Sequence, residues 1–451
     1  MMRLPHLSDI HFREPTCLTA GGDRDTPFRT RLEADLLALC NGDGIPVDAI
    51  LVGGDIAFKG HPDEYKAAKA WLLRIAARCG CKPEGILTVP GNHDIDRAIC
   101  AAVDVSNAQE AIAKEVGLFN RDRQLARQLA YAPSGEALFK PLQAYNDFAA
   151  QFGCGIFPAH PFWERDLKLA GGVTLRVFGL TSVLISGLSD RDNAPGKLFL
   201  GSAQVVLNPQ EDVLNLVLSH HPPSWFSDAA DVENTINARA PLQFFGHEHD
   251  QRCLRPPEFF RFLAGAVNPD REEPRWNPGY NLVDLHVDGE GLTRGVEVRA
   301  RLRHFQQAPN ELFVPLLTQE RDEVWRLRLR LPQLPSFSAG LGEMRVVAPP
   351  RDETAIASAV HTAIEAVTAE VRPTPPTEAD VTEPSTDNLI FRFWQLSGSQ
   401  MRDIALQLGL ITKADLQIPP PERYHSALKL AKEKGLLVDL ARQIEKHEKN
   451  A

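Results

Sequence analysis

The sequence predicts an α/β protein, and three observations carry that prediction. Short apolar runs recur that are continuous rather than alternating, as strands covered on both faces require. Segments of helical period separate these runs. The runs also close on Asp, Asn or His, at the carboxyl ends of strands, where open α/β sheets place their chemistry.

Residues 4–11 read as a strand running into Asp9-Ile10-His11. A helix is expected around 28–40, from Leu32, Leu36, Leu37 and Leu39. Val47 and Ile50-Leu51-Val52 form the next apolar run, ending on Gly53-Gly54-Asp55. Residues 62–78 predict a helix with Tyr65, Ala68, Leu72, Ile75 and Ala76 on one face. Ile86, Leu87 and Val89 then end in a Pro90-Gly91 turn, followed at once by Asn92-His93-Asp94.

From about 96 to 165 the pattern is helical and reads as an insertion lying over the site. Ser106 with Gln109 predicts a capping box, and Leu138, Leu142, Tyr145, Phe148 and Phe152 predict one amphipathic helix. Strands resume at 173–180, at 214–218 before Ser219-His220-His221, and at 242–245 before Gly246-His247-Glu248-His249. Two more are expected at 259–263 and 280–287.

The period then changes to two. Val296, Val298, Ala300 and Leu302 alternate with Glu297, Arg299, Arg301 and Arg303, and Trp325, Leu327, Leu329 and Leu331 alternate with Arg326, Arg328 and Arg330. Strands with one buried face and one arginine face are expected, the arginines either forming local ion pairs in solvent or contacting phosphate. A helix near 352–367 and a Pro/Thr-rich linker at 371–387 follow, then helical spacing from Ile404 and Leu408 to Leu440 and Ile444. The expected organisation is a principal domain over 1–350, with accessory strands at about 291–350. A helix and linker at 351–388 and a small all-helical domain at 389–451 complete it.

At 451 residues, 43% hydrophobic and 24% charged, the composition is that of a soluble globular protein. No apolar run approaches the ~20 residues of a membrane span, and Met1-Met2-Arg3-Leu4-Pro5-His6 lacks a secretory pattern, so a cytoplasmic location is expected. The net charge of −10 argues against a broad basic surface for nucleic acid, although bound metals can reverse the local potential. Residues 389–451 carry ten Lys/Arg against seven Asp/Glu, so the tail alone is basic. Seven scattered cysteines, with only Cys79 and Cys81 clustered, read as reduced and mostly buried thiols.

The chemistry lies in the strand ends taken together: Asp9-x-His11, Asp55, Asn92-His93, His220 and His247-x-His249. These are oxygen and imidazole donors, too many for one ordinary ion but suited to two that share a bridging carboxylate. Asp55, alone at its strand end, is the natural bridge. An isolated histidine such as His61, His160 or His221 is expected to be a surface or satisfied core imidazole.

Asp9-x-His11, Gly54-Asp55, Gly91-Asn92-His93-Asp94, His220 and Gly246-His247-x-His249 match in order the signature blocks of the calcineurin-like metallophosphoesterases, a resemblance spanning residues 4–290. It implies a four-layer α/β sandwich of two mixed sheets flanked by helices. It implies a first metal on Asp9, His11, Asp55 and His249, and a second on Asp55, Asn92, His220 and His247. Two divalent ions follow, Mn²⁺ favoured over Fe or Zn²⁺ for this thiolate-free donor set. His93 would protonate the leaving oxygen, and Asp94 would orient it. The tail motifs Phe391-x-Phe393-Trp394, Arg402-Asp403-Ile404-Ala405 and Ala427-Leu428-x-Leu430-Ala431 resemble the death-like helical adaptor domains of bacterial conflict systems, which implies a protein partner.

The function expected is a metal-dependent phosphodiesterase, acting on DNA, RNA or nucleotides as a nuclease-type effector in bacterial defence or signalling. A cyclic-nucleotide phosphodiesterase or phosphoprotein phosphatase is the rival enzyme. A non-enzymatic scaffold is the rival of a different class.

Overall fold

The computed structural model describes residues 1–332 apart from 20, 188–193 and 270–276; in the tail it describes Leu389, Phe393, Leu396, 398–412, Asp415 and 420–448. Two compact units divide the chain, Met1–Gly340 and Leu341–Ala451, each with its own apolar core. The helix expected at 352–367 and the linker at 371–387 lie outside the described residues.

In chain order the first unit comprises β1 (Met2–Leu7), α1 (Thr26–Asp43), β2 (Ile50–Val52), α2 (Pro62–Arg78), β3 (Ile86–Thr88), α3 (Arg97–Cys100), α4 (Val103–Ala113), α5 (Leu118–Ala130), α6 (Ala132–Phe139) and α7 (Gln143–Ala149). It continues with β4 (Trp163–Lys168), β5 (Thr174–Gly179), β6 (Val213–Ser219), α8 (Ala229–Arg239), β7 (Leu242–Phe245), β8 (Arg252–Leu254) and β9 (Phe260–Leu263). The last strands are β10 (Gly279–Asp288), β11 (Gly295–Gln306), β12 (Leu312–Pro315) and β13 (Trp325–Arg330).

Two mixed sheets result. The first runs β12-β11-β10-β1-β2-β3, with β13 also on β11, and the second runs β4-β5-β6-β7-β9-β8. β1, β2 and β3 are mutually parallel, as are β5, β6, β7 and β9, while β10 lies antiparallel to β1. The sheets face one another: His6 on β1 meets Phe244 on β7 edge to face at 4.9 Å, and Trp163 on β4 donates its indole N–H to the Thr88 carbonyl on β3 at 2.9 Å. With helices flanking them, this is the four-layer α/β sandwich.

The continuous runs are covered on both faces, as expected: Ile50, Leu51 and Val52 are all fully buried. In α2 the predicted stripe is buried together with Trp71, and each such large side chain contributes about 1.5–3 kcal/mol. Its start combines a reciprocal capping box between His61 and Glu64 with Pro62 in the first turn. No helix among the described residues is long and apolar enough to cross a membrane.

Several local expectations change. β1 ends at Leu7, so Asp9 and His11 belong to the loop beyond it. Ser106 lies inside α4, whose cap position is Ala102, so no capping box forms there. Gln109 instead donates to the carbonyls of Leu184 and Ser186, tying the helical insertion to the loop after β5. The single helix expected from Leu138 to Phe152 breaks at Pro141, which cannot donate to the preceding turn, although all five predicted residues are buried. The helical stretch ends before 165, because Trp163–Lys168 pairs with β5; its charged, alternating residues carry little apolar signal. β8, three residues at the edge of the second sheet, is a short strand that the sequence reading missed.

On β11 and β13 the aliphatic residues turn inward as expected, and five of the predicted arginines meet carboxylates: Arg299 with Glu297, Arg301 with Asp284, the buried Arg303 with Asp35, Arg326 with Asp322 and Arg328 with Asp288. These contacts fit the ion-paired alternative.

The second unit packs α9 (Gly398–Gln407), α10 (Pro420–Glu433) and α11 (Leu437–Glu448). Phe393, Ile404, Tyr424, Ala427, Ala431, Leu440 and Ile444 bury its core.

Candidate metal centre

The parallel strands of both sheets end on one edge, and the five predicted polar segments leave from there. β1 leads to Asp9, β2 to Asp55, β3 to Asn92, β6 to His220 and β7 to His247. Main-chain bonds lock these loops together: Asp9 N–H donates to the Gly54 carbonyl at 3.0 Å, and Ile10 and His11 donate to the Asp55 carbonyl at 2.8 and 3.0 Å. Gly246 N–H donates to the His220 carbonyl at 2.9 Å.

The backbone is strained where these side chains are presented. Asp9, His11, Asp55, His247 and His249 all adopt positive φ, between 51° and 69°, and account for five of the eight non-glycine residues that do so among those described. Each such residue costs about 1–3 kcal/mol, and such strain concentrates at functional sites. Gly91 is required by close approach, since a Cβ there would lie 2.1 Å from Oδ1 of Asp55.

All seven predicted donors meet. His11 Nε2 and His220 Nε2 each lie 3.3 Å from Oδ2 of Asp55. His220 Nε2 and His247 Nδ1 each lie 3.0 Å from Oδ1 of Asn92. His249 Nε2 lies 3.1 Å from Oδ1 of Asp9, whose Oδ2 accepts the His247 main-chain N–H at 3.2 Å. Of the seven, Asp9, His11, Asp55, Asn92 and His220 are buried.

Burial opposes charge throughout this cluster, and the partners decide the outcome. For Asp55, burial alone would raise the pKa, yet His220, His93 and His11 hold it well below the usual carboxylate range. Burial likewise works against a charged His220, but Asp55 outweighs it and lifts the imidazole to about 9. Burial and the neighbouring His220 push His247 down to about 3.

The donor set fits cations. His11 Nδ1 faces the Asn268 carbonyl at 3.2 Å and His220 Nδ1 faces the Gly53 carbonyl at 2.8 Å. A carbonyl only accepts, so both Nδ1 atoms carry the proton; whenever a ring is neutral its Nε2 lone pair points at the Asp55 carboxylate, and without a metal ion a second proton holds His220 charged there. That opposition is relieved by a positive charge between them, and backbone carbonyls behind histidines are the usual outer support of metal-binding imidazoles. Among the described residues four three-residue groups offer donor atoms within 4.8 Å of one another: Asp9 with His11 and His249, Asp9 with Asp55 and His220, His11 with Asp55 and His93, and His220 with His221 and His247.

His93 sits beside this cluster. Its main-chain N–H donates to Oδ1 of Asp55 at 2.7 Å, its ring lies 4.9 Å from that of His11, and its Nδ1 faces the Phe58 carbonyl at 2.9 Å. Asp94 does not orient it. That carboxyl accepts the N–H groups of Ile56, Ala57 and Gly91 and the Tyr65 hydroxyl, and so staples the turn to α2. Burial and nearby Asp55 raise its pKa to about 7.

His221 also departs from expectation. It is fully buried, its Nδ1 lies 2.8 Å from the Ser182 hydroxyl, its Nε2 has no hydrogen-bond partner among the described residues, and it groups with His220 and His247. The sequence reading missed Asn268 and Phe58, whose carbonyls hold His11 and His93. Asn268 was findable, standing after the β9 run just before Pro269, the same strand-end pattern as the others.

Residues 2–251 match the family model described as calcineurin-like phosphoesterase, and residues 385–446 match that of the GTPase-associated adaptor domain. A glycerophosphodiester phosphodiesterase of Enterobacter lignolyticus, GpdQ, is 35% identical over 93 residues, covering 21% of this chain and 30% of that protein. A cAMP/cGMP dual specificity phosphodiesterase of Mycobacterium tuberculosis is 36% identical over 100 residues, covering 21% of this chain and 27% of that one. The chain therefore aligns with less than a third of either relative. Among solved structures, Chaetomium thermophilum Vps29 aligns with 74% of this chain and all of its own, at 10% identity and a TM-score of 0.29, too low to carry argument. With 250 residues of the first unit under one family model and its signature side chains gathered at one sheet edge, the chain belongs to the calcineurin-like phosphoesterases, and its tail is a GTPase-associated adaptor domain.

Proposed function

We propose that this protein is a phosphodiesterase that uses two divalent ions, Mn²⁺ favoured, to hydrolyse diester bonds in nucleotides or nucleic acid. The observation that carries this reading is the convergence of Asp9, His11, Asp55, Asn92, His220, His247 and His249, with the His93 ring beside them. Asp9, His11, Asp55 and His249 would hold one ion; Asp55, Asn92, His220 and His247 would hold the other. When bound, the ions supply positive charge that clamps phosphoryl oxygens and lowers the cost of ionising the attacking water. Asn268 and Gly53, through their carbonyls, keep the His11 and His220 rings turned to present Nε2. His93, with Nδ1 committed to Phe58, has Nε2 left to give a proton to the leaving oxygen, a contribution of about 10²–10⁴-fold.

Diester rather than monoester specificity is favoured by the two curated relatives, both of which are phosphodiesterases by name. The cyclic-nucleotide relative keeps a cyclic nucleotide as the second reading of substrate. The adaptor tail supports recruitment to a protein partner, consistent with an effector in a bacterial defence or signalling assembly. Purified protein with Mn²⁺ should hydrolyse bis(4-nitrophenyl) phosphate faster than 4-nitrophenyl phosphate. A panel of plasmid, single-stranded DNA, RNA and cyclic nucleotides then identifies the substrate class. Faster monoester turnover would overturn the diester reading, and silence on every ester with metal bound would favour a scaffold.

A further inference from the structure

We propose that Phe58 and Glu64 together form the positioning device for His93, fixing which nitrogen carries the transferable proton. This deepens the reading of His93 as the acid and rests on it. The Phe58 carbonyl lies 2.9 Å from His93 Nδ1, and the Phe58 ring stacks on the imidazole at 5.0 Å and 18°. One residue therefore holds His93 both in plane, through a hydrogen bond, and on its face. A carbonyl cannot donate, so Nδ1 keeps its proton in either charge state, and only Nε2 gains and loses one. The Arg13 guanidinium also lies over the Phe58 ring, 3.8 Å from its centroid, which helps to fix the ring.

The loop that carries Phe58 is itself fixed by a fully buried carboxylate. Glu64 Oε2 accepts the main-chain N–H groups of Phe58, Lys59 and His61 at 3.2, 3.0 and 3.1 Å, and Oε1 accepts that of Glu14 at 3.2 Å. Only the His61 contact is needed to cap α2. The other three tie the loops after β1 and β2 to each other, and a buried charge with four donors holds them rigidly. In the step served, a hydroxide oxygen bonds to phosphorus while the bond from phosphorus to the leaving oxygen breaks with its electron pair on that oxygen. The oxygen takes the Nε2 proton, and His93 is left neutral with Nδ1–H still on the Phe58 carbonyl.

Full-length protein loaded with diamagnetic Zn²⁺ and labelled with ¹⁵N-histidine reads the tautomer directly, His93 being assigned by difference against His93→Ala. The wild type should show the Nδ1–H form; Phe58→Leu keeps the main-chain carbonyl but removes the stacked ring that holds the imidazole in its plane, so it should show a mixture of both forms, with Phe58→Tyr restoring the wild-type pattern. In parallel, Phe58→Leu should lower kcat/KM for a dinucleotide, which leaves as an alkoxide, at least about tenfold more than for a nitrophenyl nucleotide diester, which needs no acid. An unchanged tautomer, or equal losses on both esters, would overturn the device. If Phe58→Leu does not fold, Glu64→Gln loosens the same loop and is read the same way. If His93→Ala shows the leaving-group selectivity and Phe58→Leu does not, only the positioning fails. If His93→Ala shows none, the reading of His93 as the acid fails.

Discussion

Asp55 accepts the main-chain N–H of His93 on Oδ1 at 2.7 Å, so the residue proposed as proton donor is anchored to the carboxylate proposed to bridge both ions. The other oxygen of Asp55 faces His11 and His220 at 3.3 Å. One side chain thus sets the spacing between the loops after β1, β2, β3 and β6.

Asp55→Asn should therefore cost both ions. Their combined loss is expected to lower kcat/KM for bis(4-nitrophenyl) phosphate by more than about 10³-fold, since each ion stabilises the transition state by several kcal/mol. Chelation of the wild type should do the same, with recovery on adding Mn²⁺. Metal content by mass spectrometry checks the cause, and a variant that keeps two ions and full turnover would remove Asp55 from the bridging position.

Gly91→Ala tests the close approach rather than the chemistry. The new methyl would lie 2.1 Å from Oδ1 and 2.5 Å from the main-chain nitrogen of Asp55, so one loop must move. Overpacking of this kind costs about 1–3 kcal/mol, and weaker metal binding should accompany the lower Tm. Gly117→Ala has open space around it, and only its backbone, at φ 82° and ψ 144°, opposes a side chain, so it should cost about 1–3 kcal/mol and leave metal binding intact. Calorimetry with and without Mn²⁺ separates the two.

Asp228, at the start of α8, gives the stability a pH dependence away from the metal centre. Its carboxyl is buried, Oδ1 has no partner, and burial raises its pKa to about 6. The folded state holds this proton more tightly than the unfolded state, so the contribution is complete below about pH 4 and disappears as pH rises through about 6. Asp228→Asn should leave the stability unchanged near pH 4 and raise it by up to about 3 kcal/mol at pH 8. Urea denaturation at the two pH values measures this, and equal effects at both would show that the carboxyl is not held protonated.

Truncation after residue 388 should spare turnover of small diesters to within about twofold, because the two units have separate cores. A steep loss would show that the adaptor domain supports the phosphoesterase domain and does more than recruit it.

Much of the centre was legible in one dimension, because a strand end and the residue after it are adjacent in sequence. Ile50-Leu51-Val52 before Asp55, and Leu242–Phe245 before His247, announce both the strand and the polar group it delivers. The helix break at Pro141 and the edge strand at Trp163–Lys168 were less legible, since tertiary partners there outweigh local pattern. The role of Asp94 was misread for a related reason: its neighbour in sequence is His93, but its hydrogen-bond partners are Ile56, Ala57 and Tyr65, brought to it by folding.

By itself the sequence determined the α/β class and named the seven polar side chains at strand ends that the fold brings together, since each depends on hydrophobic period and residue type. Only the tertiary structure decided which nitrogen each imidazole presents. For His220, His93 and His11 that choice belongs to the carbonyls of Gly53, Phe58 and Asn268, which lie 35 to 257 positions away in the chain; Phe58 reaches His93 once β2 and β3 have paired, and the other two reach their histidines only once the two sheets have closed on each other.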